Sequence, residues 1–257
     1  MDLLTLLSRA LVVPVLVFAV ACGSEPAAPP PAGTGGGVAV DAATAGSLSG
    51  RVTFTGVPPA ADILQMGTDQ ACVTDGVAEK PSDAVLVDPS GGLGNVFVHV
   101  KDGLDPKYSF PVPGTPVALD QVGCRYRPRV VGLQLGQPLE VVNSDDTLHN
   151  VHALPVENTE FNEGQPLRGM RLSHMFTAPE VMVRFKCNVH SWMTAYVGVV
   201  PHPYFAVTAA DGSFSIPGLP PGTYTIEAWH EVFGRQTGQV TIGEREAVTL
   251  SFEFSAD

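Results

Sequence analysis

From Val181 to Cys187 the chain reads Val-Met-Val-Arg-Phe-Lys-Cys, an alternation that puts Val183, Phe185 and Cys187 on one face and Arg184 and Lys186 on the other. A run of this kind must bury one side of a strand, and here it carries a sulfur to the buried end. His190 and Met193 follow within the next six residues, so one short loop can fold both back over the point where the thiol emerges. His149 lies 38 residues before the cysteine, after the mostly apolar stretch Leu139 to Val142. A second strand arriving from across a sandwich would place it there.

A thiolate, two imidazoles and a thioether are the ligand set that suits copper cycling between two oxidation states, with trigonal His2Cys and a weak axial Met. Structural zinc takes four strong ligands, usually with two or more thiolates close in sequence. Only Cys187 is at hand unless Cys72 or Cys124 is recruited. The expected metal residues are therefore His149, Cys187, His190 and Met193, holding one copper ion.

These residues resemble the cupredoxins, or blue copper proteins. Cys187-x2-His190-x2-Met193 matches the short ligand loop of amicyanin, and His149-Asn150-Val151-His152 is similar to the segment carrying the first histidine in amicyanin and plastocyanin. The resemblance covers roughly residues 120 to 200, including Tyr126-Arg127-Pro128 and the Gly136 turn. It implies a Greek-key β-sandwich with His149, Cys187 and His190 as equatorial ligands and Met193 axial. Asn150 would tie the two ligand loops together. Trp192, between two ligands, either packs the loop or forms a docking surface around an exposed edge of His190, the edge where electrons enter and leave in the resembled family. Ala195 stands where many relatives have glycine, and the loop lacks the prolines that flank the second histidine in amicyanin.

The chain opens on Arg9 and an apolar core from Leu11 to Ala21, of export-signal length and too short to span a bilayer comfortably. Ala19-Val20-Ala21-Cys22-Gly23 resembles a bacterial lipoprotein box, which makes residues 1–21 a signal peptide and Cys22 the lipidated first residue. An extracytoplasmic, membrane-anchored location follows, periplasmic or at the cell surface. Residues 22–46 are Gly, Pro, Ala and Ser with almost no large apolar side chain, and read as a disordered tether.

Beyond it, short alternating runs are punctuated by Gly and Pro: residues 50 to 56, 95 to 100, Phe214/Ile216, Tyr224/Ile226/Ala228 and Val248 to Phe254. No window carries a helical period, so the expected class is all-β. The tail from Phe205 resembles the carboxypeptidase regulatory-like, transthyretin-like sandwich, with Asp211-Gly212 and Pro220-Pro221-Gly222 as its turns. A Ser49-Gly50-Arg51-Val52 start of the kind that family uses sits near residue 50. Either the cupredoxin unit, 108–202, is inserted into a sandwich made of 47–107 and 203–257, or modules follow one another.

Cys72 and Cys124 remain. In an exported chain they pair as a disulfide, or stay free thiols. His152 alternates to the face opposite His149. His99, His202 and His230 read as structural or solvated, and His174 next to Met175 as a weak second metal candidate. Fourteen Lys+Arg stand against 26 Asp+Glu, a net charge of -12, which excludes nucleic acid as a partner and favours one with a basic face. No substrate pocket and no further copper-binding histidine runs are legible. The expectation is an electron carrier rather than an enzyme, passing single electrons to a redox protein such as a cytochrome or oxidase, with copper trafficking or sensing, or a non-metal surface binding module, as the alternatives.

Overall fold

The structure is a computed structural model that describes residues 36–256; the expected signal peptide and lipidated Cys22 lie outside the described residues. The chain is all-β. Strand β1 (Gly46–Thr55) leads to a hairpin of β2 (Ile63–Gln65) and β3 (Glu79–Pro81), then to β4 (Phe97–Asp102). Nine strands follow: β5 (Val117–Gln121), β6 (Tyr126–Arg127), β7 (Val130–Gln134), β8 (Leu139–Asn143), β9 (His149–Leu154), β10 (Phe161–Gln165), β11 (Arg171–His174), β12 (Glu180–Lys186) and β13 (Thr194–Val200). The chain ends with β14 (Phe205–Val207), β15 (Ser213–Leu219), β16 (Gly222–His230), β17 (Gly234–Ile242), β18 (Ala247–Thr249) and β19 (Phe252–Ser255).

Pairing sorts these strands into two sandwiches. In the inner one, a sheet ordered β10-β9-β12-β13-β7 faces another ordered β11-β8-β5-β6. Leu119, Tyr126, Leu133, Val141, Val151, Phe185 and Val197 fill the space between them. Each strand supplies alternate residues to this core, as half-buried strands must. In the outer sandwich, β1 lies between β15 and the β18/β19 edge, opposite a sheet ordered β14-β4-β16-β17. Leu48, Val52, Phe54, Val98, Ile226 and Phe252 form its core. Strands from before and after the inner sandwich pair directly: β1 with β15 and β19, and β4 with β14 and β16.

The two bodies meet where β4 crosses the inner sheet. Gly132 and Gly198 are register partners in the parallel pair β7/β13. A Cβ on either would come within 2.6 Å of the Phe97 ring. Two adjacent glycines make the flat seat that lets a fully buried Phe97 pack there. Arg129, its side chain 10% exposed, adds a charged tie, bonding Asp83 at 2.9 Å and Glu231 at 2.8 Å.

The tether expected through Gly46 is shorter on its described side. Val38 forms a parallel bridge with Tyr108, its N–H donating to the Lys107 carbonyl at 2.7 Å. Backbone pairing holds it although its side chain is exposed.

Candidate metal centre

Strand β8 ends at Asn143, a fully buried amide that shapes the next turn. Its Oδ1 accepts the Asp145 N–H and its Nδ2 donates to the Thr147 carbonyl, both at 2.9 Å. That turn sets His149 at the head of β9. Strand β12 lies beside β9, with Phe185 opposite Ala153, and delivers Cys187 to the same end of the sandwich. The loop beyond closes tightly: the Met193 N–H donates to the His190 carbonyl at 3.0 Å, and the Cys187 N–H to the Met193 carbonyl at 3.3 Å.

Three of the four expected ligands converge. His149 Nδ1 and His190 Nδ1 are 3.0 Å apart, and Cys187 Sγ is 3.9 Å from His190 Nδ1. All three ligand atoms lie within 4.8 Å of one another, and all three residues are buried. With metal–nitrogen bonds of about 2.0 Å and metal–sulfur bonds of about 2.3 Å, ligands around one ion stand roughly 3.3–3.7 Å apart. Met193 is buried in the same cluster as Cys187.

The protonation pattern indicates what belongs between them. His149 Nε2–H donates to Asp145 Oδ2 at 2.9 Å, and His190 Nε2–H to Asp69 Oδ2 at 3.0 Å. Each ring thus spends its proton on a carboxylate behind it and turns its Nδ1 lone pair forward. Two lone pairs facing each other at 3.0 Å repel unless a cation, a proton or a metal, stands between them. Burial pushes the Cys187 thiol up, but when the forward Nδ1 atoms carry protons the hydrogen bonds from His149 and His190, together with those from the backbone N–H groups of Asn150 and His190, outweigh it and bring it down to about 5. Burial pulls His149 down, and Asp145 with the Cys187 thiolate raises it to about 9. His190 is raised by the thiolate and Asp69 against the same burial. The donor set is a thiolate beside two imidazoles whose protons a metal would displace, and it fits copper.

Behind the ligands the polar contacts are dense. The Asn150 N–H donates to Cys187 Sγ at 3.5 Å, and its Oδ1 accepts the Asn188 N–H, so one residue bridges both ligand loops. Tyr126 Oη donates to the Asn150 and Lys186 carbonyls at 3.0 and 3.2 Å. It bolts β9 to β12 just below the site. Asp145 accepts the Gly123 and Cys124 N–H groups at 2.7 and 2.8 Å. Asp69 accepts Thr147 Oγ1 at 2.7 Å as well as His190.

The exposed edge expected for His190 is absent. The residue is 2% exposed, because the turn carrying Asp69 lies over its Nε2. Trp192 therefore has no open imidazole edge to frame; its ring is 5.2 Å from His190 and its Nε1–H donates to the Cys124 carbonyl at 3.0 Å. Of the two readings for Trp192, loop packing holds. Cys72 and Cys124 form a disulfide with Cα atoms 5.4 Å apart. His152 turns away from the ligand cluster to Glu160, at 2.6 Å. His174 stacks on Phe161 at 3.7 Å, its Nε2 3.3 Å from Glu163, and joins no metal-type cluster among the described residues. Sequence reading gave Asp69, Asp145 and Thr147 no role, and Tyr126 only a place in the resemblance. Asp145 stands four residues before His149 and was the one within reach of a spacing argument.

The carboxypeptidase regulatory-like domain family matches residues 194–255, which runs from β13 to β19 and leaves out β1 and β4. No curated protein matches. Among solved structures, a Cu-containing nitrite reductase from Thermus scotoductus SA-01 is similar at 24% identity and a TM-score of 0.31, over 37% of this chain and 24% of its own. A purple cupredoxin from Nitrosopumilus maritimus is similar at 22% identity and 0.28, over 32% of this chain and 98% of its own. A mutant amicyanin in its Cu(I) form is similar at 20% identity and 0.30, over 38% and 99%. Likeness at these scores carries no weight by itself, and the site stands on its own distances.

Proposed function

We propose that this protein holds one copper ion between His149, Cys187 and His190, with Met193 as the weak fourth ligand, and carries single electrons. The observation that supports this most directly is the pair of imidazole lone pairs turned toward each other beside a thiolate, each ring braced from behind by a carboxylate. Copper, when bound, would supply a one-electron couple. The chain's part is to keep the ligand positions alike in both oxidation states. Strands β9 and β12 fix two ligands, and Asn150 and Tyr126 lock the strands to each other. Burial of all three keeps water and oxidants off the thiolate. Little then reorganises when an electron arrives or leaves.

In this reading the protein is a carrier and not an enzyme. Cys22 anchors it by lipid outside the cytoplasm, and its net charge of -12 selects a redox partner with a basic docking face. Copper trafficking is the competing role for the same residues. Redox cycling in the presence of a Cu(I) chelator separates the two. A carrier keeps its metal through repeated cycles, whereas loss of copper to the chelator on the first reduction would identify a trafficking protein.

A further inference from the structure

Building on the copper reading, we propose that Asp69, brought by an excursion of the outer sandwich, is a positioning residue of the metal centre that fixes the His190 ring and biases the metal toward its higher oxidation state. The excursion runs from Ile63 to Pro81, between the outer strands β1 and β4. It reaches across to the inner sandwich, where Met66 and Cys72 are fully buried in the core that also holds Cys187 and Met193. The disulfide to Cys124 pins it there, and Arg125 Nη2 donates to the Pro81 carbonyl at 2.8 Å where it leaves.

The carboxylate itself is oriented. Asp69 Oδ1 accepts the Ala71 N–H at 2.9 Å, which turns Oδ2 toward Thr147 and His190. Thr147 stands two residues before His149, so one oxygen grips both ligand loops. A ligating histidine whose other ring nitrogen donates to a carboxylate has its tautomer and orientation set, and its basicity raised. Asp145 does this for His149 from the same loop. Asp69 does it for His190 from another domain, which gives the outer sandwich a part in the site. A negative charge 3.0 Å from the ring stabilises the more positive metal state over the less positive one.

The test uses Asp69→Asn, which keeps the shape and removes the charge, and Asp75→Asn, an exposed site on the same excursion, as the control. In the metal-free protein, nitrogen NMR of the His190 ring should show the proton on Nε2 in the wild type and in Asp75→Asn, and a mixture of tautomers in Asp69→Asn. In the copper-loaded protein, Asp69→Asn should shift the ratio of Cu(II) to Cu(I) affinity about tenfold toward Cu(I). That raises the reduction potential by ~59 mV for one electron. Unchanged tautomer and potential in Asp69→Asn would overturn the proposal. If the wild type took up no copper, the electron-carrier reading would fail, while the metal-free spectra would still decide whether Asp69 positions the ring. Should Asp69→Asn fail to fold, Asp69→Glu takes its place, and a His190 proton moved off Nε2 there would count against the carboxylate's role.

Discussion

Both sandwiches bury histidines, and they do opposite things with them. On the outer side, His202 Nε2–H donates to the Val100 carbonyl at 2.9 Å and its Nδ1 accepts the Tyr204 N–H at 3.3 Å. Burial pulls it down to about 4. His230 Nδ1 accepts the Val232 N–H at 3.2 Å, the ring stacks on Phe233 at 4.7 Å, and burial brings it to about 4 as well. These rings are neutral and their lone pairs are used by the backbone. In the inner sandwich His149 and His190 are as deeply buried, yet carboxylates and a thiolate raise both. Burial alone produces a structural histidine. A carboxylate behind the ring and a thiolate in front produce a site that asks for a cation.

The largest effect expected from this contrast is on metal uptake. Cys187→Ala removes the sole thiolate and should abolish high-affinity copper binding, while His202→Gln, equally buried, should leave it intact; equilibrium titration of both variants checks this. Equal losses in the two would erase the distinction. Next comes the charged tie between the sandwiches. Arg129→Ala strands Glu231 and weakens Asp83, and breaking a buried pair in this way costs about 3–5 kcal/mol. An unfolding free energy lowered by that amount, with copper binding retained by the protein that remains folded, would show that the tie serves the joint and not the metal centre.

The outer histidines make a smaller, pH-dependent contribution. Their folded-state values near 4 lie below the ordinary 6.5, so the unfolded chain binds more protons between those pH values. Stability is therefore full above pH 6.5 and falls as pH drops toward 4, by up to ~3 kcal/mol for each ring. Urea midpoints of the wild type and His202→Gln over that range measure it. The variant should show the shallower decline, and parallel curves would remove His202 from the account.

How far the sequence foretold the molecule depended on the range of the interaction. Alternation within single strands was legible, so the all-β class and the strands around Phe97, Phe214 and Tyr224 could be read directly. The Cys187 to Met193 loop could be read because one strand end supplies its residues. The cover over His190 was not legible. Asp69 is far from His190 in sequence, sits between two short 3-10 turns, and acts through a pairing that no local period announces. The seat for Phe97 was hidden for the same reason: Gly132 and Gly198 become neighbours only through the β7/β13 register. The open imidazole edge was an inference from resemblance, and this chain departs from it because a second sandwich reaches over the site.

The central claim, that buried side chains distant in sequence share one copper ion, is tested most directly by adding Cu(II) stepwise to the metal-free protein while recording visible absorption and electron paramagnetic resonance. The account predicts an intense thiolate-to-copper band that saturates at one equivalent, with the narrow copper hyperfine splitting of a trigonal thiolate site. A weak absorption with the wide splitting of an ordinary tetragonal Cu(II) complex, or no saturation at one equivalent, would contradict it.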